Sequence, residues 1–242
     1  MTIPVGFIVP VGIGLACGLL NGGLVVGLRL HPFIVTLGTM GIFRGIANVS
    51  VPMKTLPTNP LVVPESFTTH FLQYQPVKGL LPIPMIIMVA CIAAGWFYLS
   101  RTVAGRENYA IGGNEEAARF SGLPVGRIKL RVYALAGLAA GIAGMIYAGY
   151  YGSASSNAGE GWELMVIAAA VVGGASLLGG RGTALGALLG TLVIKLIENG
   201  ILIMRYDQQY SKIIVGIAIV VAVAVDQLSE YLRQRRLAGE QS

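Results

Sequence analysis

The first 28 residues contain no Asp, Glu, Lys or Arg. A helix that crosses the hydrocarbon core of a bilayer needs about 20 mostly apolar residues, so this one window already points to a membrane span. Charge-free windows recur at 31–43, 82–100, 132–159, 164–180, 182–194 and 213–225. In lipid every backbone polar group must bond within its own segment, which makes helices the natural reading of such windows. The apolar pattern continues past Arg44 to about Val49, and resumes around Lys195 and Glu198 to Met204. Charged residues are only 12% of the chain and hydrophobic ones 55%, where a soluble domain carries about 25% charge. The fold class is therefore all-α, a polytopic transmembrane helical bundle. About seven spans are expected: 5–28, 32–50, 82–100, 131–150, 162–178, 183–204 and 212–228.

Basic residues in short loops mark the cytoplasmic side. The 101–131 segment carries Arg101, Arg106, Arg119, Arg127, Lys129 and Arg131, and the tail carries Arg233, Arg235 and Arg236. Four expected spans separate these regions, so both fall inside, together with Arg29 and His31. Residues 1–242 read as one transmembrane domain with a 51–81 extracytoplasmic loop, a 101–131 cytoplasmic segment and a 229–242 cytoplasmic tail. Seven spans with an inner C-terminus put Met1 outside, with no basic residue ahead of the first span. The expectation is that the chain begins part-way through a larger protein; a native start with Met1 outside is the alternative.

Two cysteines, Cys17 and Cys91, lie in apolar windows, where a thiol behaves as a small hydrophobe. His31 and His70 have no metal-ligand spacing around them, so no metal site is expected. No catalytic set can be assembled from two histidines and sparse acids, which argues against an enzyme. No cofactor is called for either. The net charge of +6 marks loop orientation rather than a nucleic-acid surface.

Lipid-embedded helices associate where small residues let backbones approach. Three ladders at a spacing of four offer this: Gly14, Gly18, Gly22; Ala136, Ala140, Gly144, Ala148; and Gly182, Gly186, Gly190. Packing within the chain is the favoured use, contact with a second subunit the other. The Gly-rich 173–182 break lacks the Gly-Lys-Ser/Thr of a phosphate loop and reads as a tight cytoplasmic turn marked by Arg181.

Between residues 102 and 130 the chain becomes polar. Asn114 is a good N-cap, Glu115 and Glu116 suit the first turn of a helix, and Glu115 and Arg119 stand i,i+4. Gly122 and Pro124 end the helix. A helix of about two turns is not stable alone in water and needs a surface to dock on. Ala117, Ala118 and Phe120 give it a small apolar side. It is either a connector resting on the membrane or a plug for a cleft in a cytoplasmic partner.

At these residues the sequence resembles a known family. The run GRENYAIGGNEEAARFSG at 105–122 looks like the signature loop of ribose-type permeases, the membrane subunits of ABC importers for monosaccharides. So do PFIVTLGTM at 32–40 with Arg44-Gly45, Ser153-Ala154, AGEGWEL at 158–164, Ile167-Ala168-Ala169, Gly173-Gly174 and GGRG at 179–182. The resemblance covers nearly the whole chain, in order. It implies a permease of the bacterial inner membrane that pairs with a second, identical or paralogous permease and with two ATP-binding cassette subunits, which hold the ATP. An extracytoplasmic sugar-binding protein would deliver substrate. The family's coupling helix maps onto Asn114, Glu115, Glu116, Ala117, Ala118, Arg119, Phe120 and Ser121. Family members usually have about ten spans and a basic cytoplasmic N-terminus, which implies about three further spans before this sequence.

Polar side chains at membrane depth are costly and are functional candidates. The 150–163 stretch carries Ser153, Ser155, Ser156, Asn157, Glu160, Trp162 and Glu163. Hydroxyl, amide and carboxylate groups beside aromatic faces suit a sugar, which offers hydrogen bonds on its rim and C–H on its faces. Ser153, Asn157, Glu160, Trp162 and Glu163 are the candidate substrate-pathway residues; an ordinary exposed loop with an aromatic belt is the alternative. Asn48, one turn beyond Arg44, joins them. Lys195 and Glu198 are expected to neutralise each other, a pathway role being the alternative. An ion-coupled secondary carrier is the competing function, weakened because Glu198 is the only acid well inside an expected span.

Overall fold

The computed structural model describes residues 3–51, 55–56, 82–205 and scattered positions from 207 to 224. The chain divides into two compact units, Met1–Cys91 with Gly122–Ala158, and Ile92–Ser121 with Gly159–Ser242.

In the first unit, helix α1 (Ile3–Leu28) and helix α2 (Pro32–Ser50) are joined by a tight turn. Arg29 takes a positive φ of 53° there, and the His31 carbonyl accepts from the Ile34 and Val35 amides. Pro32 occupies the first helical turn, where its missing N–H costs nothing. After α2 comes the two-residue strand β1 (Thr55–Leu56), then helix α3 (Ile83–Arg101), which runs on into the second unit. Two short helices follow in that unit, α4 (Val103–Gly113) and α5 (Glu115–Phe120). The first unit then resumes with α6 (Val125–Tyr151) and strand β2 (Ala154–Ser155). The strands pair antiparallel, Thr55 opposite Ser155 and Leu56 opposite Ala154.

Helices α1 and α6 pack antiparallel along glycine. A Cβ on Gly14 would lie 2.7 Å from Gly141 Cα, one on Gly18 would lie 3.0 Å from Gly137 Cα, and one on Gly22 would meet Leu130 and Tyr133. The ladder of α1 is used within the chain. On α6 the seam is Tyr133, Gly137 and Gly141, one residue along from the expected Ala136 ladder.

The second unit also holds α7 (Trp162–Val172) and α8 (Ala184–Ile203). Their backbones also approach closely at glycine: a Cβ on Gly190 would strike the Ala169 carbonyl, and one on Gly173 the Gly186 carbonyl. Ala168, Ala169 and Ile194 are the buried core of this pair, with Met165 against them.

Five described helices are long and apolar enough to cross a membrane: α1, α2, α3, α6 and α8. The expected 162–178 span is not one of them. Its helix ends at Val172 after 11 residues, about 16 Å at 1.5 Å per residue against a core of about 30 Å. Gly174 and Gly179 take φ of +89° and +98°, left-handed conformations that no helix continues through. The expected 131–150 span starts six residues earlier, at Val125, because helix formation continues past Arg127, Lys129 and Arg131 into the aqueous boundary. The expected 212–228 span and 51–81 loop fall mostly outside the described residues, and the 229–242 tail wholly so. Positions described between 213 and 224, such as Ile213, Ile214 and Ile217, are helical.

Candidate functional site

The polar segment between α3 and α6 is built on a corner. Thr102 donates to the Tyr98 carbonyl at 2.6 Å and accepts from the Gly105 amide at 3.0 Å, capping α4. Asn108 Nδ2 donates to Tyr98 Oη at 3.0 Å, and Gly105 packs on the last turn of α3 with no room for a side chain. Helix α4 is a feature the sequence reading did not separate from the rest of the segment.

Asn114 ends α4 and starts α5, its Oδ1 accepting from the Ala117 amide at 2.9 Å. Arg119 bonds Glu115 at 3.3 Å, and Ser121 Oγ donates to the Ala117 carbonyl. Gly122 then turns the chain with φ +82°. Glu115 and Glu116 complement the helix dipole in the first turn and Arg119 in the last. On this stub Ala118 is buried, Ala117 is exposed and Phe120 is 89% exposed.

Behind the stub, α4 lies on the turn between α7 and α8, backbone against backbone. A Cβ on Gly112 would collide with the Gly180 amide and one on Gly179 with the Gly112 carbonyl; one on Gly180 would sit 2.9 Å from Gly113 Cα. Tyr109 Oη donates to the Gly182 carbonyl at 2.5 Å. The polar segment is thereby joined to the α7–α8 turn without an intervening layer of side chains.

Lys195 and Glu198 form an ion pair of 2.6 Å on α8, with side chains 59% and 19% exposed. The α7–α8 register, continued residue for residue from the Ala169–Gly190 and Gly173–Gly186 contacts, sets Trp162 opposite Ile197. That is about 9 Å short of the end of α8. Helix α7 is therefore a half-length element beside α8.

Of the expected pathway residues, Ser153 is partly buried and Asn157 exposed in the first unit, with the Asn157 amide bonded to Ser155 Oγ at 3.3 Å. Glu160, Trp162 and Glu163 are exposed in the second unit, at the start of α7. Asn48 is exposed near the end of α2. None of these is among the residues that line the two cavities described next.

Other residues do. Asn21 of α1, Thr36, Thr39, Phe43 and Arg44 of α2, and Ser156 just past β2 surround a cavity of about 300 Å³. A second, mostly apolar cavity of about 690 Å³ along α1 and α6 shares Asn21, Thr36 and Phe43. Thr39 is 5% exposed, its hydroxyl donating to the Val35 carbonyl at 3.0 Å. Thr36 donates likewise to Pro32 at 3.1 Å, leaving the lone pairs of both hydroxyls to accept. Asn21 Oδ1 is buried with no hydrogen-bond partner among the described residues. Asn21 was missed because a lone amide in a charge-free window reads as helix filler; its spacing on α1 gives no sign of the α2 residues it meets.

Long apolar helices in glycine contact, with a polar cavity among them, define a multi-pass membrane permease. The chain belongs to the family described as branched-chain amino acid transport system / permease component, which it matches over residues 1–223. It is 41% identical over 210 residues to the ribose import permease of Bacillus subtilis, covering 86% of this chain and 63% of that protein. It is 35% identical to the fructose import permease of Rhizobium meliloti (89% and 60% covered) and 36% identical to the D-allose transport system permease of Escherichia coli (89% and 64%). The chain thus spans about three-fifths of the length of these relatives. No solved structure matches it.

Proposed function

We propose that the chain is the membrane-spanning part of an ATP-driven importer that carries a monosaccharide or related small polyol across the bacterial inner membrane. ATP-binding cassette subunits, an extracytoplasmic sugar-binding protein and a second permease are its partners. The names of the ribose, fructose and D-allose relatives support the substrate class. The single observation that carries the mechanism is the α5 stub. A capped six-residue helix is too short to persist without a docking surface, and it holds an 89% exposed phenylalanine on the side that the basic residues assign to the cytoplasm.

In this reading Phe120 and the exposed side of α5 seat in a cleft of an ATP-binding subunit. Closure of two such subunits on ATP moves α5, and α4 carries the motion to the α7–α8 turn through the Gly112–Gly180 contact. An ion-coupled carrier would need a titratable carboxylate at membrane depth. Glu198 is instead held by Lys195, which favours the ATP-driven reading.

The test is deletion of residues 116–119, or Phe120→Ala, in the assembled importer reconstituted in liposomes. The expected result is a protein still in the membrane, with ATP hydrolysis no longer stimulated by the sugar-loaded binding protein and uptake abolished. Normal uptake in the deletion would refute the coupling role. Uptake that stops with a protonophore but persists without ATP would restore the ion-coupled carrier.

A further inference from the structure

We propose that the cavity between α1, α2 and the chain at Ser156 is a pausing site for a neutral polyhydroxylated solute of five or six carbons, read by Asn21 and Arg44. The assignment rests on the monosaccharide-importer reading above. It adds a discrete site on the membrane subunit, built mainly from α1 and α2 residues that the outer-loop reading does not contain.

Three observations converge on it. First, about 300 Å³ lies at the small end of ligand pockets, which run from roughly 300 to 1,000 Å³. That suits one small ring. Second, the lining offers both halves of a hydroxyl's bonding. Arg44 lines the cavity and brings N–H donors to it. Asn21 Oδ1 is an acceptor with no partner among the described residues, while Thr36 and Thr39 donate to backbone carbonyls and keep lone pairs free. Phe43 supplies an apolar face for C–H groups. A buried amide oxygen without a partner carries a free-energy cost, which a ligand hydroxyl would relieve. Third, Ser156 enters from irregular chain between β2 and α7. Non-helical backbone among membrane-spanning helices is tolerated where it is buried in protein or lines a water-filled cavity, and here it borders a polar one.

The binding protein selects its sugar before the permease does, so the test holds that protein constant. The importer, reconstituted with Asn21→Leu, Asn21→Gln or Arg44→Lys, is supplied with saturating binding protein loaded with D-ribose or with 2-deoxy-D-ribose. Loss of one hydrogen bond predicts a fall of about two- to tenfold in D-ribose uptake for Asn21→Leu. The fall for the deoxy sugar is smaller, and Asn21→Gln recovers part of the loss. In parallel, Ser156→Cys in a background lacking Cys17 and Cys91 is labelled with a polar thiol reagent, and D-ribose slows the labelling. An unchanged ratio between the two sugars, or labelling indifferent to sugar, overturns the site. Failure of both Asn21 variants to assemble also overturns it, by placing the amide in helix packing. Wild-type liposomes that import no monosaccharide would instead remove the importer reading, whereas wild-type uptake with unaltered variants removes only the cavity assignment.

Discussion

Gly112 and Gly113 are neighbours near the end of α4 with opposite surroundings, so the same substitution at both isolates the backbone seam. An alanine Cβ at Gly112 would stand 3.1 Å from Gly180 Cα and 3.3 Å from Gly179 C, and closer still to the Gly180 amide, whereas one at Gly113 meets nothing within 4 Å. Neither glycine has a positive φ. Each substitution gains roughly 0.8–1.0 kcal/mol of helix propensity. Gly112→Ala must also displace backbone, and overpacking of that kind typically costs about 1–3 kcal/mol. Gly113→Ala should therefore be neutral to slightly stabilising, and Gly112→Ala less stable than it by about 1–3 kcal/mol. For a chain of this size that gap is on the order of 2–10 °C in Tm. Thermal unfolding of the purified complex, followed by fluorescence of Trp96 and Trp162, measures it. Uptake should fall further in Gly112→Ala than in Gly113→Ala. If the two variants melt together and transport alike, α4 does not bear on the α7–α8 turn as described.

Tyr109→Phe removes the bond to the Gly182 carbonyl and should lower stability by about 0.5–1.5 kcal/mol, read in the same melt. Gly18→Leu should separate α1 from α6, since even a Cβ there lies 3.0 Å from Gly137 Cα. Gly23→Ala, with open space around it, should be tolerated; membrane accumulation and protease resistance report both. Lys195→Leu strips Glu198 of its counter-charge and should be more damaging than the double change Lys195→Leu/Glu198→Leu, because an uncompensated charge is worse than none. A double-mutant cycle on accumulation and uptake checks this.

The charge-free windows located α1, α2, α3 and α8 to within a residue or two at most ends, because long apolar runs have one stable form in lipid. They misplaced α6 and α7 for opposite reasons. Composition marks where lipid ends, not where helical hydrogen bonding ends, so α6 extends past its basic residues. Apolar residues also continue beyond Val172 although the helix does not; Gly173-Gly174 was the visible signal. The α5 cap, ion pair and glycine stop were legible because each is a local rule of a few residues. Helix α4 was not separated, since its start rests on Thr102 reaching back to α3. The cavity was the least legible part. Asn21, Arg44 and Ser156 stand in three stretches of sequence with no shared period, and only helix pairing unites them.

The β1–β2 ladder has a consequence out of proportion to its length. Two residue pairs fasten the chain leaving α2 to the chain leaving α6, one position before Ser156. No disulfide reinforces that clasp, as both cysteines are free. Anything that tugs on the chain leaving α2 would thus be passed through two residue pairs to the serine at the rim of the chamber.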